Sequence, residues 1–265
     1  MKPNCRSRAL GLVLSILPLL ATHARAEEVH VMISGGLTAA YNELAPQFER
    51  QTGHKLVTSY GASMGSTPTA IPMRLSRGEA ADVVILARTA LDSLVTGGKV
   101  RKGSEVDLVR SAIAMAVKAG APVPDISTVE GLKRTLLAAP SIAYSDSASG
   151  VYISTELFKK MGIEQVAAKA KMIPGTPVGE VVARGEASVG FQQMSELLAV
   201  SGIKVVGPLP DAVQKITVFS AGVSMTSKSP GAAAKLIQFL LSPEAAVAIR
   251  RRGIEPSSEY AAAHH

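Results

Sequence analysis

The sequence predicts an α/β fold of two lobes joined by two β-type crossings, with a ligand cleft between them. Three observations predict it. Short β-type runs alternate with helical patterns along most of the chain, the rhythm of a parallel or mixed sheet. The rhythm breaks twice, at "VDLVRSAIAMAVKAG" and "KITVFSAGVSM", long β-rich apolar runs with no helix inside them. Four polar, glycine-containing loops each follow a strand or open a helix.

The elements follow in order. "VHVMIS" (29–34) reads as a strand, and "LTAAYNELAPQFERQTG" as a helix with Leu37, Tyr41, Leu44 and Phe48 at helical spacing. "KLVTSY" (55–60) is the next strand, and "PTAIPMRLSRG" a short helix starting on Pro68. "ADVVIL" (81–86) is a buried-type strand, and "TALDSLVTGG" a helix ending on glycines. The first long β-rich run then reads as a strand crossing between lobes. Alternation resumes with helical "VEGLKRTLL", strand "SIAYS", helical "STELFKKMG", strand "KAKMI", helical "PVGEVVARG", and strands "ASVGFQQ" and "KVVGPL". The second long run returns the chain to the first lobe, and "PGAAAKLIQFLL" and "PEAAVAIRRRG" close it as helices.

The 265 residues allow one large domain or two modest lobes. The amino terminus has the three-part layout of a secretory signal. Lys2, Arg6 and Arg8 precede the apolar run "ALGLVLSILPLLA", and "ARA" ends on Ala26, where cleavage is expected. A retained membrane anchor is the competing reading, which so short an apolar run disfavours. The expected division is residues 1–26 as signal peptide, 27–108 plus 220–258 as lobe 1, 109–219 as lobe 2, and 259–265 as a disordered tail. His264 and His265 fall in that tail, where no fixed ligand geometry is expected.

Cleavage would remove four basic residues (Lys2, Arg6, Arg8 and Arg25) and no acid, lowering the net charge from +7 to +3. The remaining mild positive balance suits small anions. Cys5, the chain's one cysteine, would leave with the signal. The mature protein then has no disulfide and no thiolate metal site. It is expected in the periplasm, as a monomer without a cofactor.

Several functions are excluded or disfavoured. There is no G-x-x-x-x-G-K-[ST] loop and no G-x-G-x-x-G after a strand. No His, Asp and Glu cluster stands at metal-ligand spacing. Basic residues do not alternate with aromatics, which argues against nucleic acid. His30 and His54 sit at the edges of elements and read as surface residues, not as a catalytic pair.

The four loops are "ISGGLT" (33–38), "SYGASMGSTP" (59–68), "YSDSASGVY" (144–152) and "PGTPVGE" (174–180). Ligands of open α/β sheets sit beyond the carboxyl ends of strands. Helix starts there offer unpaired N–H groups, and serine adds a neutral donor. Ser147, Ser149 and Gly150 therefore read as one wall of an anion cradle. Any single such loop is better explained by serine capping a helix; the four together make the case. Arg88 follows "ADVVILA" and either holds a carboxylate bidentately or is a solvated surface arginine. Gln192 and Gln193 end another strand, where their amides either orient a polar ligand or face solvent.

"VHVMISGGLTAAYNELAPQFERQTG", "ADVVILA", "SGVYISTELFKKMG" and "ASVGFQQMSELLAVSGIKVV" together resemble the periplasmic molybdate-binding family across nearly the whole mature chain. The resemblance implies a type II periplasmic-binding-protein fold that holds an oxyanion between its lobes. Carried over by motif, the family's ligand positions fall on Gly36, Ser63, Ser149, Val178 and Gln193. Gly36 stands where that family usually has serine, and Gln193 where it has a capping tyrosine. Both departures favour an organic carboxylate over molybdate. The aconitate isomerase branch of the family is similar at "VHVMISGG", "YSDSASGVYI" and "GFQQ". That similarity implies interconversion of cis- and trans-aconitate by an allylic proton shift. The alternative is the solute-binding component of an ABC importer for a molybdate-like oxyanion or a small organic carboxylate, handing its ligand to a permease.

The candidate substrate-binding residues are then Ser34, Gly35 and Gly36; Ser63 and Met64; Ser147, Ser149, Gly150, Val151 and Tyr152; Val178; and Arg88 and Gln193 at strand ends. A proton shift needs a base. Tyr60, Asp146, Tyr152 and Glu180 lie in or beside the loops, and nothing in the sequence selects one.

Overall fold

The computed structural model describes residues 26–257. The expected signal segment up to Arg25 and the expected tail over 259–265 lie outside the described residues. The chain begins β1 (Glu28–Ile33), α1 (Gly35–Thr52), β2 (Lys55–Tyr60), α2 (Ile71–Ser76), β3 (Val83–Ala87), α3 (Arg88–Thr96) and β4 (Val106–Ser111). It crosses to β5 (Ile113–Lys118), α4 (Val129–Ala138), β6 (Ile142–Ser145) and α5 (Ala148–Tyr152). A π-helical turn (Ile153–Leu157) joins α5 to α6 (Phe158–Lys160). Then come β7 (Ala170–Ile173), α7 (Val178–Ala183), β8 (Val189–Gln193), α8 (Met194–Leu198) and β9 (Ile203–Pro208). The return consists of β10 (Thr217–Val223), α9 (Pro230–Leu240), α10 (Pro243–Arg251) and β11 (Glu255–Pro256).

Two sheets result. The first has strand order β11-β4-β10-β3-β1-β2, and the second β7-β6-β8-β5-β9. β3 and β8 are interior strands, buried at every residue, which is why "VVILA" and "VGFQQ" show no alternation of apolar and polar residues. β1 runs parallel to β2 and β3, β6 runs parallel to β7 and β8, and each sheet takes antiparallel partners from the crossing strands β4, β5, β9 and β10. α1 packs Leu37, Ala40, Tyr41, Leu44 and Phe48 into the first core. Each large side chain so buried contributes roughly 1.5–3 kcal/mol. Tyr152, Ile153, Leu157 and Phe158 do the same for the second core.

Several expectations need correction. The first long β-rich run is two strands, not one. Ala112 separates β4 in the first sheet from β5 in the second, a change of direction that apolar content does not reveal. Val109, Arg110 and Ser111, and also Thr217, Val218 and Phe219, pair within the first sheet, so that sheet reaches into the range expected for the second lobe. Pro68 does not open a helix. Its carbonyl accepts a hydrogen bond from Arg77 Nη2 at 2.6 Å, and α2 starts at Ile71 with Pro72 in its first turn. The helical stretch after β6 begins at Ala148, ahead of "STELFKKMG". A short helix, α8, was not expected at all between β8 and β9. His54 is 3 % exposed and not a surface residue. Its ring stacks on Phe48 at 6.1 Å, and its Nδ1 accepts from the Glu27 N–H at 3.2 Å. Among the described residues, no single helix is long and apolar enough to cross a membrane.

Candidate active site

A cleft of about 490 Å³ lies where the carboxyl ends of strands from both sheets meet. The first lobe lines it with Ile33 at the end of β1, Gly35, Thr38 and Asn42 on α1, Tyr60 at the end of β2, and Gly61 and Ala62 beyond it. From the second lobe come Ser145 at the end of β6, Asp146 and Ser147 beyond it, Gly175 to Pro177 before α7, Glu180 on α7, Gln192 near the end of β8, and Glu196 on α8. Hydroxyls, amides and loop backbone therefore face three acids, Asp146, Glu180 and Glu196. No lysine or arginine is among the lining residues.

The lobes are stitched together beside this space. The Ser63 N–H donates to Ser147 Oγ at 3.1 Å, and Ser195 Oγ donates to the Gly36 carbonyl at 2.7 Å. Ser63 Oγ accepts from the Ala87 N–H at 2.9 Å and donates to Ser34 Oγ at 2.7 Å. Ser145 and Ser149 share a 2.9 Å hydroxyl contact. The structure thus gathers Ser34, Ser63 and Ser147 into one hydrogen-bonded set. Of the candidate substrate-binding residues, Gly35 and Ser147 line the cleft itself, and of the candidate bases, Tyr60, Asp146 and Glu180 do.

The remaining expected residues are placed otherwise, each for a physical reason. An added Cβ at Gly36 would stand 2.2 Å from the Phe219 ring, so the ring fills the space a serine would need. At Gly150 an added Cβ would fall 1.6 Å from the Ser145 carbonyl, so that glycine serves the close approach of α5 to β6. The Val178 N–H donates to Gln192 Oε1 at 2.9 Å. Gln193 Nε2 donates to Thr217 Oγ1 at 2.9 Å. Val151 is exposed, and Met64 packs against the cluster formed by Met32, Ile71 and Leu91.

Arg88 is turned to its own chain's acids, with Nε donating to Asp92 at 2.7 Å and Nη1 to Asp107 at 2.8 Å. Those two carboxylates hold its pKa above the ordinary arginine value. Tyr152 is buried in the second core, and its hydroxyl donates to the Val213 carbonyl at 2.6 Å. Burial pushes its pKa up, with Glu156 adding to the effect, which is the wrong direction for a base. Neither Arg88 nor Tyr152 lines the cleft.

The group that sequence reasoning missed is Glu196. It sits in the first turn of α8, three residues after Gln193 at the N-cap position. Its Oε1 accepts from Gln192 Nε2 at 2.8 Å. Burial pushes its pKa up to about 7, and Asp146 adds to the rise, against the opposing hydrogen bonds from Gln192 and the Gln193 N–H. A glutamate at this helix position that reaches back to the N-cap N–H is half of a capping box. Since Gln193 is an unusual cap, "QQMSELL" carries little of that signal. Among the described residues, no group of three or more His, Cys, Asp or Glu is arranged to hold a metal.

Comparison with known proteins agrees with this architecture. The family model of bacterial extracellular solute-binding proteins matches residues 29–255. An aconitate isomerase from Pseudomonas sp. is 51% identical over 258 residues, covering 97% of this chain and 98% of that protein. The molybdate-binding protein ModA of Azotobacter vinelandii is 28% identical over 245 residues, covering 89% and 92% of the two chains. The solved periplasmic molybdate-binding protein of Azotobacter vinelandii superposes with a TM-score of 0.68 at 20% identity, over 85% of this chain and 98% of that one. The sulfate-binding protein SubI of Mycobacterium tuberculosis gives 0.69 at 20% identity, over 87% of each chain. The chain belongs to the bacterial extracellular solute-binding protein family, in its molybdate-binding-like group close to the aconitate isomerase branch.

Proposed function

We propose that this chain is an aconitate isomerase, interconverting cis- and trans-aconitate by an allylic proton shift in the cleft between its lobes. The observation that carries the reading is 51% identity to an aconitate isomerase along 97% of the chain. The cleft supports it chemically. Its volume of about 490 Å³ suits a small organic acid, and its donors are hydroxyls, amides and backbone N–H groups. Such donors stabilise the charge that spreads onto a carboxylate as a neighbouring C–H bond breaks.

An importer component for an oxyanion is the second reading, favoured by the 28% identity to a molybdate-binding protein. All five positions carried over from that family weigh against it. The Ser63 N–H, the Ser149 hydroxyl, the Val178 N–H and the Gln193 amide are engaged within the protein, and Phe219 excludes a serine at position 36.

The test is incubation of the purified protein with trans-aconitate, followed in the ultraviolet and by chromatography. The expected result is accumulation of cis-aconitate until both isomers are present at equilibrium. An unchanged spectrum over hours, together with tight molybdate binding in calorimetry, would move the protein to the importer reading.

The reading also takes the chain as an exported monomer of two lobes, cleaved after Ala26. The signal-type layout of its first residues supports that. Protein recovered from a periplasmic extract is then expected to begin at Glu27 by intact mass; recovery of the uncleaved chain would refute it.

A further inference from the structure

We propose that Glu196 is the catalytic base of this site, lifting the proton from the methylene carbon of trans-aconitate and returning it to the former vinyl carbon. The inference rests on the isomerase reading above. It begins from position. The Glu196 carboxyl lines the cleft at the seam of the two lobes. Gln192 of the second lobe fixes it, and Gly35 of the first lobe lies so close that a Cβ there would be 1.8 Å from Oε1.

Its orientation is determined by hydrogen-bond accounting. The Val178 N–H needs an acceptor and takes Gln192 Oε1 at 2.9 Å. The amide group of Gln192 must therefore point its NH₂ at Glu196. That contact and the bond from the Gln193 N–H together fix the carboxyl at the cleft wall.

The other titratable groups of the cleft are less suited. Asp146 Oδ2 accepts from the Gly175 N–H at 3.1 Å. Glu180 stands 3.7 Å from the Arg184 guanidinium. The Tyr60 hydroxyl donates to Asn42 Oδ1 at 2.8 Å. Burial and the neighbouring Asp146 bring Glu196 to about 7, where a carboxylate is a far stronger base than in water and is still substantially ionised.

The step balances without an oxidant or a second reactant. The methylene C–H bond breaks and an O–H bond forms on Glu196. The electron pair left on carbon spreads through the double bond onto a carboxylate as a dienolate. The O–H bond then breaks, a C–H bond forms at the former vinyl carbon, and the double bond has moved one carbon along. One carboxyl serves both transfers, because the two carbons flank the same central atom.

Glu196→Gln tests the role cleanly. Glutamine serves a capping box as well as glutamate does, so a purely structural Glu196 would tolerate the change. The expected result is a fall in kcat of roughly 10²–10⁴-fold. Binding of trans-aconitate in calorimetry should stay within about tenfold of the parent, since the hydrogen-bonded frame is kept. In the parent protein, kcat/KM should rise with pH through about 7 as Glu196 ionises. In deuterated water the parent should also exchange methylene hydrogen, and the variant should not.

A Glu196→Gln protein that turns over within tenfold of the parent overturns the proposal. So does a parent profile that is flat between about pH 6 and 8, a measurement that needs no variant. If the parent itself fails to isomerise aconitate, the functional reading falls first. If the parent isomerises and the variant does too, the assignment of Glu196 alone is wrong.

Discussion

Replacing Asp82 by alanine is expected to destabilise the folded chain by about 3–5 kcal/mol, read as a lower urea midpoint. Asp82 is 3 % exposed, just before β3. Its Oδ2 accepts from the His30 N–H at 2.8 Å. Its Oδ1 accepts from Ser227 Oγ at 2.7 Å, the Lys228 N–H at 2.8 Å and the Ser229 N–H at 3.0 Å. One carboxylate thereby ties β1 and β3 to the segment that leads into α9, far along the chain. Alanine would leave these donors without their acceptor. Burial by itself would raise the Asp82 pKa, but the His30, Ser227, Ser229 and Lys228 donors outweigh it, and the pKa is lowered. The resulting stability is present above the ordinary aspartate range and is lost as pH falls through the lowered folded value. The gap between parent and variant should therefore be full at pH 7 and narrow in strong acid. A gap below about 1 kcal/mol at pH 7 would mean that water satisfies these donors as well as the carboxylate does.

Gly35→Ala is expected to lower kcat by about 10²-fold while changing the melting midpoint little. The added Cβ would sit 1.8 Å from Glu196 Oε1 and 2.4 Å from its Cδ. Those atoms form the end of a flexible side chain, so the carboxyl would swing aside and the backbone would not. Alanine also suits the first turn of α1 better than glycine, which offsets part of the strain. Displacement of a reacting group by about 1 Å is enough for a loss of that size. The check is kcat and KM for trans-aconitate beside a thermal scan. Unchanged kcat in a folded variant would show that the Glu196 position is irrelevant to turnover. Gly36 is the instructive neighbour. There an added Cβ would meet the Phe219 ring, a buried part of the first core, so the same substitution should act on stability.

Much of the architecture was legible in the residues. "KLVTSY" is β2 at both ends, and "ADVVIL" covers most of β3. The helical spacing of Leu37, Tyr41, Leu44 and Phe48 is the buried face of α1. These succeed because period and punctuation are local properties. The cleft's general chemistry was legible as well, since serines and glycines after strands are local too. Individual site residues were less so. Arg88 emerges at the end of β3 as expected, but Asp92 and Asp107 claim its guanidinium. Tyr152 lies in the expected loop, but a helical twist sends its ring into the second core. The five-residue α8 is too short to declare a period, and it carries both Ser195, which binds the lobes together, and Glu196.

By itself, then, the sequence determined the α/β alternation, the two passages between lobes and a cleft furnished with neutral donors. The tertiary structure alone decided which groups remain free to act there. Hydrogen bonds between positions distant in the chain occupy Ser63, Gln193 and Arg88, and non-local burial changes the acidity of Glu196. The reason is physical: a strand or helix is specified by its neighbours in sequence, whereas the desolvation that tunes a carboxyl comes from atoms that only folding brings around it.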